Sequence, residues 1–131
     1  DELVEKALQA AGAEVEIVCA ELFAQERPLE AFIDAYLSEW HQTSPHEGCP
    51  LPTMSSELGL RGQPSPTSDE VLNARLEQIQ GTLEGEGAAD QSIFIMSAMV
   101  GALLLSRSVE SADLAQRILD VTREFLKKPR D

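Results

Sequence analysis

The chain has 131 residues, of which 43% are apolar and 25% are charged, a composition ordinary for one globular domain and too apolar for a disordered segment. Acidic residues outnumber basic residues by 23 to 10, so the formal net charge is −13. A surface of this sign repels a phosphate backbone, which argues against nucleic-acid binding by these residues themselves. Two cysteines, Cys19 and Cys49, are too few for a disulfide framework and are typical of a reducing compartment, which predicts a cytoplasmic protein.

Helical periodicity runs through the whole chain, and strand signals are nearly absent. A first helix is predicted over about residues 2–24. Proline at position 28 suits the first turn of a second helix, which the periodicity extends over residues 28–43. Phe32, Tyr36 and Trp40 recur there at i, i+4 and i+8, so half of the aromatic residues form one row.

Proline positions and a helix-capping pattern predict two further helices in the middle of the chain. Pro50 and Pro52 suit the start of a short third helix, with Leu51, Met54 and Leu58 facing inward. After a loop rich in serine and proline, the stretch over residues 67–70 predicts a capping box that opens a fourth helix, ending near residue 83.

The stretch over residues 88–106, AADQSIFIMSAMVGALLLS, carries no charge from position 91 onward. A helix that is apolar all round has to be covered on all sides. Its sixteen uncharged residues are fewer than the ~20 that a membrane span requires, so we predict burial and no membrane contact. One face carries Met96, Met99, Val100 and Leu103 at i, i+3, i+4 and i+7, and is predicted to face the core.

The opposite face of this helix carries small residues that allow close approach of a second subunit. The last helix, over residues 112–128 with Ser111 as its cap, has two apolar stripes, of which only one can face its own domain. We therefore predict a symmetric homodimer through these two helices. The predicted interface residues are Ser97, Gly101, Leu104, Leu105, Ser108, Leu114, Ile118, Val121 and Phe125.

Three segments resemble one known family. They are the opening DELVEKAL, the run AFIDAYLSEWHQTSPHEGCPLPTMSSEL, and VGALLLSRSV followed by SADLAQRILDVTREFL. Together they resemble the C-terminal regulatory domain of TetR-type transcriptional repressors, in a subgroup with a Gly-Cys-Pro segment.

The resemblance implies that residues 1–131 form a single all-α domain of about six helices, which senses a ligand and dimerises. In that family the last two helices pair with their copies as a four-helix bundle. It also implies a bacterial transcription regulator whose helix-turn-helix domain lies upstream of Asp1, so that DNA is bound only through that domain.

A pocket for a small apolar or aromatic effector is the role that the resemblance implies for the aromatic row. The predicted ligand-binding residues are Phe32, Tyr36, Trp40, His41, Cys49, Met54, Met96, Met99, Val100 and Leu103. Spacing alone also fits a plain core stripe. The alternative is therefore a helical dimerisation or adaptor module that binds no ligand.

A small metal or thiol enzyme is the remaining alternative. His41, His46, Glu47 and Cys49 contain too few ligands at the spacing of a structural zinc site. A Cys49–His41 pair lacks an evident orienting group and oxyanion hole. We predict no catalytic residue, no metal and no cofactor.

Overall fold

The computed structural model describes residues 2–128, without the side chains of residues 4, 5, 8, 11 and 12. Within that range the chain forms seven α-helices and no β-strand. They are α1 (Glu2–Phe23), α2 (Pro28–Tyr36), α3 (Glu39–Thr43), α4 (Leu51–Arg61), α5 (Pro66–Gln80), α6 (Ala88–Ser108) and α7 (Ala112–Lys127). The prediction of an all-α bundle of about six helices is confirmed, and the additional helix arises because one predicted helix is divided in two.

The helix predicted over residues 28–43 is divided into α2 and α3 at Leu37 and Ser38. Ser38 is extended (φ −87°, ψ 157°), and its hydroxyl accepts a hydrogen bond from the His41 N–H at 3.1 Å. The same hydroxyl donates to the Ala35 carbonyl at 2.8 Å. One serine thus satisfies a backbone group of each helix, which stabilises the break against a continuous helix.

Two arginines of the last helices hold this break in place. Arg123 of α7 donates to the Leu37 carbonyl at 2.6 Å. Arg107 of α6 donates to the carbonyls of His41 at 2.6 Å and Gln42 at 3.1 Å. Because cations are favourable near the carbonyl end of a helix, both arginines stabilise the junction of α2 and α3 against α6 and α7.

The start of α5 lies upstream of the predicted capping box over residues 67–70. The cap is Ser65, whose hydroxyl accepts from the Thr67 N–H at 3.1 Å and the Ser68 N–H at 3.3 Å. Pro66 is the first helical residue, and a residue that precedes proline is driven toward the extended conformation that an N-cap adopts. The predicted position was therefore wrong because the proline, not the threonine, fixes where this helix begins.

The core lies along one face of α6, which packs against α7, α5, α4 and α3. Met96, Met99 and Leu103 are at most 1% exposed, and Val100 is half-buried. Each fully buried side chain of this size stabilises the fold by ~1.5–3 kcal/mol relative to its exposed state. The prediction that these four residues face the chain's own core is confirmed.

The opposite face of α6 and one stripe of α7 form an apolar surface that is open to solvent in the single chain; we call it the α6–α7 face. Phe94, Leu105 and Phe125 are 64%, 58% and 63% exposed. The nine positions predicted for the dimer interface are exposed or half-buried: Ser97, Gly101, Leu104, Leu105, Ser108, Leu114, Ile118, Val121 and Phe125. Apolar surfaces of this kind are where protein partners bind.

By length and composition alone, α6 with its 21 residues could also cross a membrane. Buried helices in the cores of other proteins meet the same criterion. In this bundle one face of α6, including Ile95 and Met99, is packed inside the protein.

Candidate ligand-binding site

A cavity of about 480 Å³ lies between α1, α2, α3 and the connection before α4. Its walls are mainly apolar, with Val15, Val18 and Leu22 of α1 opposite Phe32 of α2. Arg75 of α5 contributes to the same wall. The volume lies within the ~300–1,000 Å³ typical of sites for small molecules.

Aromatic rings of α1, α2 and α3 form a row, and all of them except Phe23 line the cavity. Phe23 and Phe32 have ring centroids 4.8 Å apart, and Phe32 and Tyr36 are 5.6 Å apart. The Tyr36 ring meets the His41 ring edge-on at 4.7 Å, and Trp40 stacks on His41 at 6.3 Å. The predicted row of Phe32, Tyr36 and Trp40 thus lines the cavity, with His41 inserted between the last two rings because the helix breaks at residue 38.

The protonation of His41 is fixed by two backbone hydrogen bonds. Its Nδ1 lies 2.7 Å from the Tyr36 carbonyl, which can only accept, so Nδ1 carries the proton. Its Nε2 accepts from the Cys49 N–H at 3.2 Å and is therefore unprotonated. Burial lowers the pKa of His41, in agreement with a neutral ring.

Glycine at position 48 allows the chain to approach this ring. Gly48 has φ +76°, a conformation that side-chain-bearing residues rarely adopt. A Cβ atom there would lie 2.7 Å from Cδ2 and 2.9 Å from Nε2 of His41. Cys49 then presents its N–H to His41, and Pro50 forms the N-cap of α4. Gly48 and Cys49 of the Gly-Cys-Pro segment thus form part of the cavity wall.

Both thiols line the cavity and both are buried. Burial raises the pKa of Cys19 to about 11, although the nearby Arg75 opposes that rise. Burial also raises the pKa of Cys49, against the opposing effect of the neighbouring Tyr36 hydroxyl. His41 bonds to the backbone of Cys49 and not to its thiol, so the two side chains do not form a base–nucleophile pair.

A buried cation and a buried phenol supply the polar groups of the cavity wall. Arg75 is 1% exposed, forms an ion pair with Glu16 of α1 and donates a hydrogen bond to Gln78. Tyr36 is 4% exposed, and burial raises its pKa well above the ordinary value, so the phenol stays protonated. The Tyr36 hydroxyl and the Arg75 Nε are buried without hydrogen-bond partners.

Five of the predicted ligand-binding residues line this cavity: Phe32, Tyr36, Trp40, His41 and Cys49. The other five do not: Met54, Met96, Met99, Val100 and Leu103. The expected wall shared by methionines and aromatic rings is therefore corrected, because α6 contributes no side chain to this cavity.

The five residues outside the cavity have three different positions. Met99 and Leu103 are core residues, and Met54 is half-buried on α4. Met96 and Val100 border a smaller groove of about 360 Å³ between α4, α5 and α6.

Sequence reasoning missed the contributions of α1 and α5. Val15, Val18 and Leu22 belong to the apolar stripe of α1, but periodicity does not reveal which helix such a stripe faces. The burial of Arg75 could have been predicted, because Val71, Arg75 and Ile79 follow one another at intervals of four residues on the inward face of α5. An arginine on an apolar stripe indicates a buried, paired charge.

No group of three or more histidine, cysteine or acidic side chains within the described residues could hold a metal ion. His46 and Glu47 line the outer part of the cavity beside the buried His41, whose two ring nitrogens are already engaged. The four residues that the sequence analysis considered as metal ligands, His41, His46, Glu47 and Cys49, thus all line the cavity.

Comparison of the chain with family models, with curated proteins and with solved structures gives no match.

Proposed function

We propose that this domain is the effector-sensing and dimerisation domain of a TetR-type transcriptional repressor, and that a small, mainly apolar molecule binds in the cavity between α1 and the aromatic row. The observation that carries the proposal is the cavity of about 480 Å³ walled by Val15, Val18, Phe32 and Tyr36. Its size and apolar lining suit a small organic ligand. The order of the three segments that resemble the family supplies the link to transcription.

The cavity position suits signalling through α1. Cys19 and Leu22 of α1 line the cavity, so a ligand touches the helix that follows the DNA-binding domain in TetR-type repressors. A ligand changes DNA affinity only if it binds the DNA-released arrangement more tightly than the DNA-bound one. A shift of α1 against α2 is the movement through which we expect that difference to arise.

The exposed apolar face supports the homodimer. Phe94, Leu105 and Phe125 leave large apolar side chains in water, and Gly101 lies among them with open space where its Cβ would be. Burying this face against its own copy removes it from solvent and produces a closed two-fold assembly. Because Arg107 and Arg123 link α6 and α7 to the junction of α2 and α3, the dimer helices also contact the cavity wall.

Two measurements test the proposal. The first is the coding sequence upstream of Asp1, where a helix-turn-helix of about 50 residues supports the repressor and an unrelated domain overturns it. The second is binding of a panel of small apolar and aromatic compounds, followed by the concentration-dependent rise in melting temperature. Trp40→Ala removes the half-exposed ring at the cavity and should weaken binding, whereas Phe94→Ala, outside the cavity, should not.

A dimerisation or adaptor module without a ligand is the second candidate. The α6–α7 face favours it, because that surface does not depend on the cavity. A stable dimer whose melting temperature responds to none of the compounds would support the adaptor and count against effector sensing.

A further inference from the structure

Three buried side-chain polar atoms in the described part of the chain have no hydrogen-bond partner, and all three can donate a hydrogen. They are Tyr36 Oη, Arg75 Nε and Arg107 Nη1. Tyr36 and Arg75 line the cavity, whereas Arg107 does not. A buried donor without a partner is destabilising and rare in folded proteins, so two in one cavity wall indicate that an acceptor belongs there.

The groups around the two donors do not supply that acceptor. Tyr36 lies close enough to the Cys49 thiol, and Arg75 to the Cys19 thiol, to oppose the rise in the pKa of each thiol. Sulfur is a weak hydrogen-bonding group, however, and by distance and angle Tyr36 Oη and Arg75 Nε have no partner. His41 has already used its single acceptor, Nε2, on the Cys49 N–H.

The charges around the cavity disfavour an anionic head group. The guanidinium of Arg75 is already paired with Glu16, so its charge is neutralised within the protein. Glu14 and Glu47 line the cavity and add negative charge. A carboxylate ligand would lose its hydration without gaining an unpaired cation, whereas a neutral carbonyl accepts the two hydrogen bonds at a smaller desolvation cost.

We infer that the cavity selects neutral, mainly apolar molecules that carry a carbonyl-type acceptor, which Tyr36 Oη and Arg75 Nε bind while the apolar body lies along Val15, Val18 and Phe32. This inference rests on the proposed ligand-binding function and names the chemical class of the ligand. A preference for the carbonyl distinguishes this site from a purely apolar cavity, in which a hydrocarbon and a ketone of the same shape bind equally well.

Three probes of one shape test it by equilibrium dialysis against the full chain. They are 2-acetylnaphthalene, a neutral ketone; 2-ethylnaphthalene, which lacks the acceptor; and 2-naphthoate, the anion. We expect the ketone to bind about tenfold more tightly than either of the other two, since the hydrocarbon leaves both buried donors unpaired and the anion finds no unpaired cation. Equal affinities for ketone and hydrocarbon, or tighter binding of the naphthoate, would overturn the inference.

Tyr36→Phe identifies the donor, because it removes only the hydroxyl. The ketone should lose about threefold in affinity in this variant, because Arg75 Nε is then its only donor, whereas the affinity of the hydrocarbon should stay within about twofold of its original value. Thr82→Val is the matched control, because that hydroxyl lies outside the cavity and already donates to the Ile79 carbonyl. A ketone preference that is undiminished in Tyr36→Phe contradicts the inference, whereas failure of all three probes to bind contradicts the proposed function as well.

Discussion

The Cys49 backbone N–H donates to Nε2 of His41 at 3.2 Å. The preceding residue, Gly48, lies so close to the same imidazole that there is no room for a Cβ atom at position 48. This contact joins the end of α3 to the start of α4 and fixes the histidine as a neutral tautomer. The Gly-Cys-Pro segment therefore has a physical role that does not depend on the reactivity of its cysteine.

Gly48→Ala should destabilise the protein by about 3 kcal/mol, since it combines a strained positive φ with a clash against His41. Gly62→Ala is the control, because Gly62 has φ +63° but open space around its Cβ position, and it should cost only ~1 kcal/mol. Urea denaturation of both variants measures the difference. Equal losses would mean that the approach to His41 is not tight in solution.

Stability should decrease as the pH falls below about 6.5, the ordinary pKa of histidine. Burial lowers the pKa of His41 in the folded protein, so the unfolded chain binds the proton first and the free energy of unfolding falls. For one proton the slope between pH 6.5 and the lower folded pKa is positive and cannot exceed ~1.4 kcal/mol per pH unit. Denaturant unfolding at several pH values measures it.

His41→Gln is the control for this pH dependence, because it removes the buried titrating ring and retains His46 and every carboxylate. The slope in the same pH window should be smaller in this variant. A wild-type stability that stays constant or rises on acidification from pH 6.5 would contradict a neutral His41.

The sequence could predict much of the fold and about half of the cavity. The spacing of Met96, Met99 and Leu103 predicts a buried face of α6, because apolar residues at i, i+3 and i+7 share one side of a helix. The spacing does not show which helix covers that face. The prediction that the methionines share a cavity wall with the aromatic row was therefore wrong. The break between α2 and α3 at Ser38 could not be predicted from the sequence either, because a serine side chain caps a helix only where the backbone of the serine is extended.

Alkylation of the two thiols by iodoacetamide should be slow in the folded protein. A shift in the pKa of Cys19 from 9.0 to about 11 lowers its thiolate fraction at pH 8 by about 100-fold relative to an unperturbed thiol. Burial raises the pKa of Cys49 too, so its reaction should also be slower than that of a free thiol. Peptide mass spectrometry resolves the two sites. Labelling of Cys49 at the rate of a free thiol would favour the thiol-enzyme alternative.

Tyr36→Phe should raise the stability of the unliganded protein by about 1 kcal/mol, since it removes a buried hydroxyl that has no partner. Thr82→Val should instead lower stability by a similar ~1 kcal/mol, since the Thr82 hydroxyl donates to the Ile79 carbonyl at 2.7 Å. Thermal unfolding of both variants without ligand provides the comparison. A clear loss of stability in Tyr36→Phe would show that its hydroxyl is already bonded in the free protein.

If the proposed homodimer forms through the α6–α7 face, Gly101→Leu should convert it into a monomer without loss of helix. Its Cβ would meet no atom of the same chain, so the added side chain is tolerated within one subunit and obstructs only close approach of another. Within the helix, leucine in place of glycine is favourable by up to ~1 kcal/mol, so far-ultraviolet circular dichroism should be unchanged or slightly stronger. Light scattering after size-exclusion chromatography measures the mass of each variant.

Gly59→Leu is the control for this change, because Gly59 also lies inside a helix with open space at its Cβ position, but on α4, away from the α6–α7 face. That variant should keep the mass of the wild type. Phe125→Glu tests the same surface from α7, where a charge replaces a ring that is 63% exposed in the single chain and would be buried in the proposed dimer. If Gly101→Leu and Phe125→Glu both remain dimeric, the two subunits meet through another surface, and the exposed apolar side chains of α6 and α7 have a different partner.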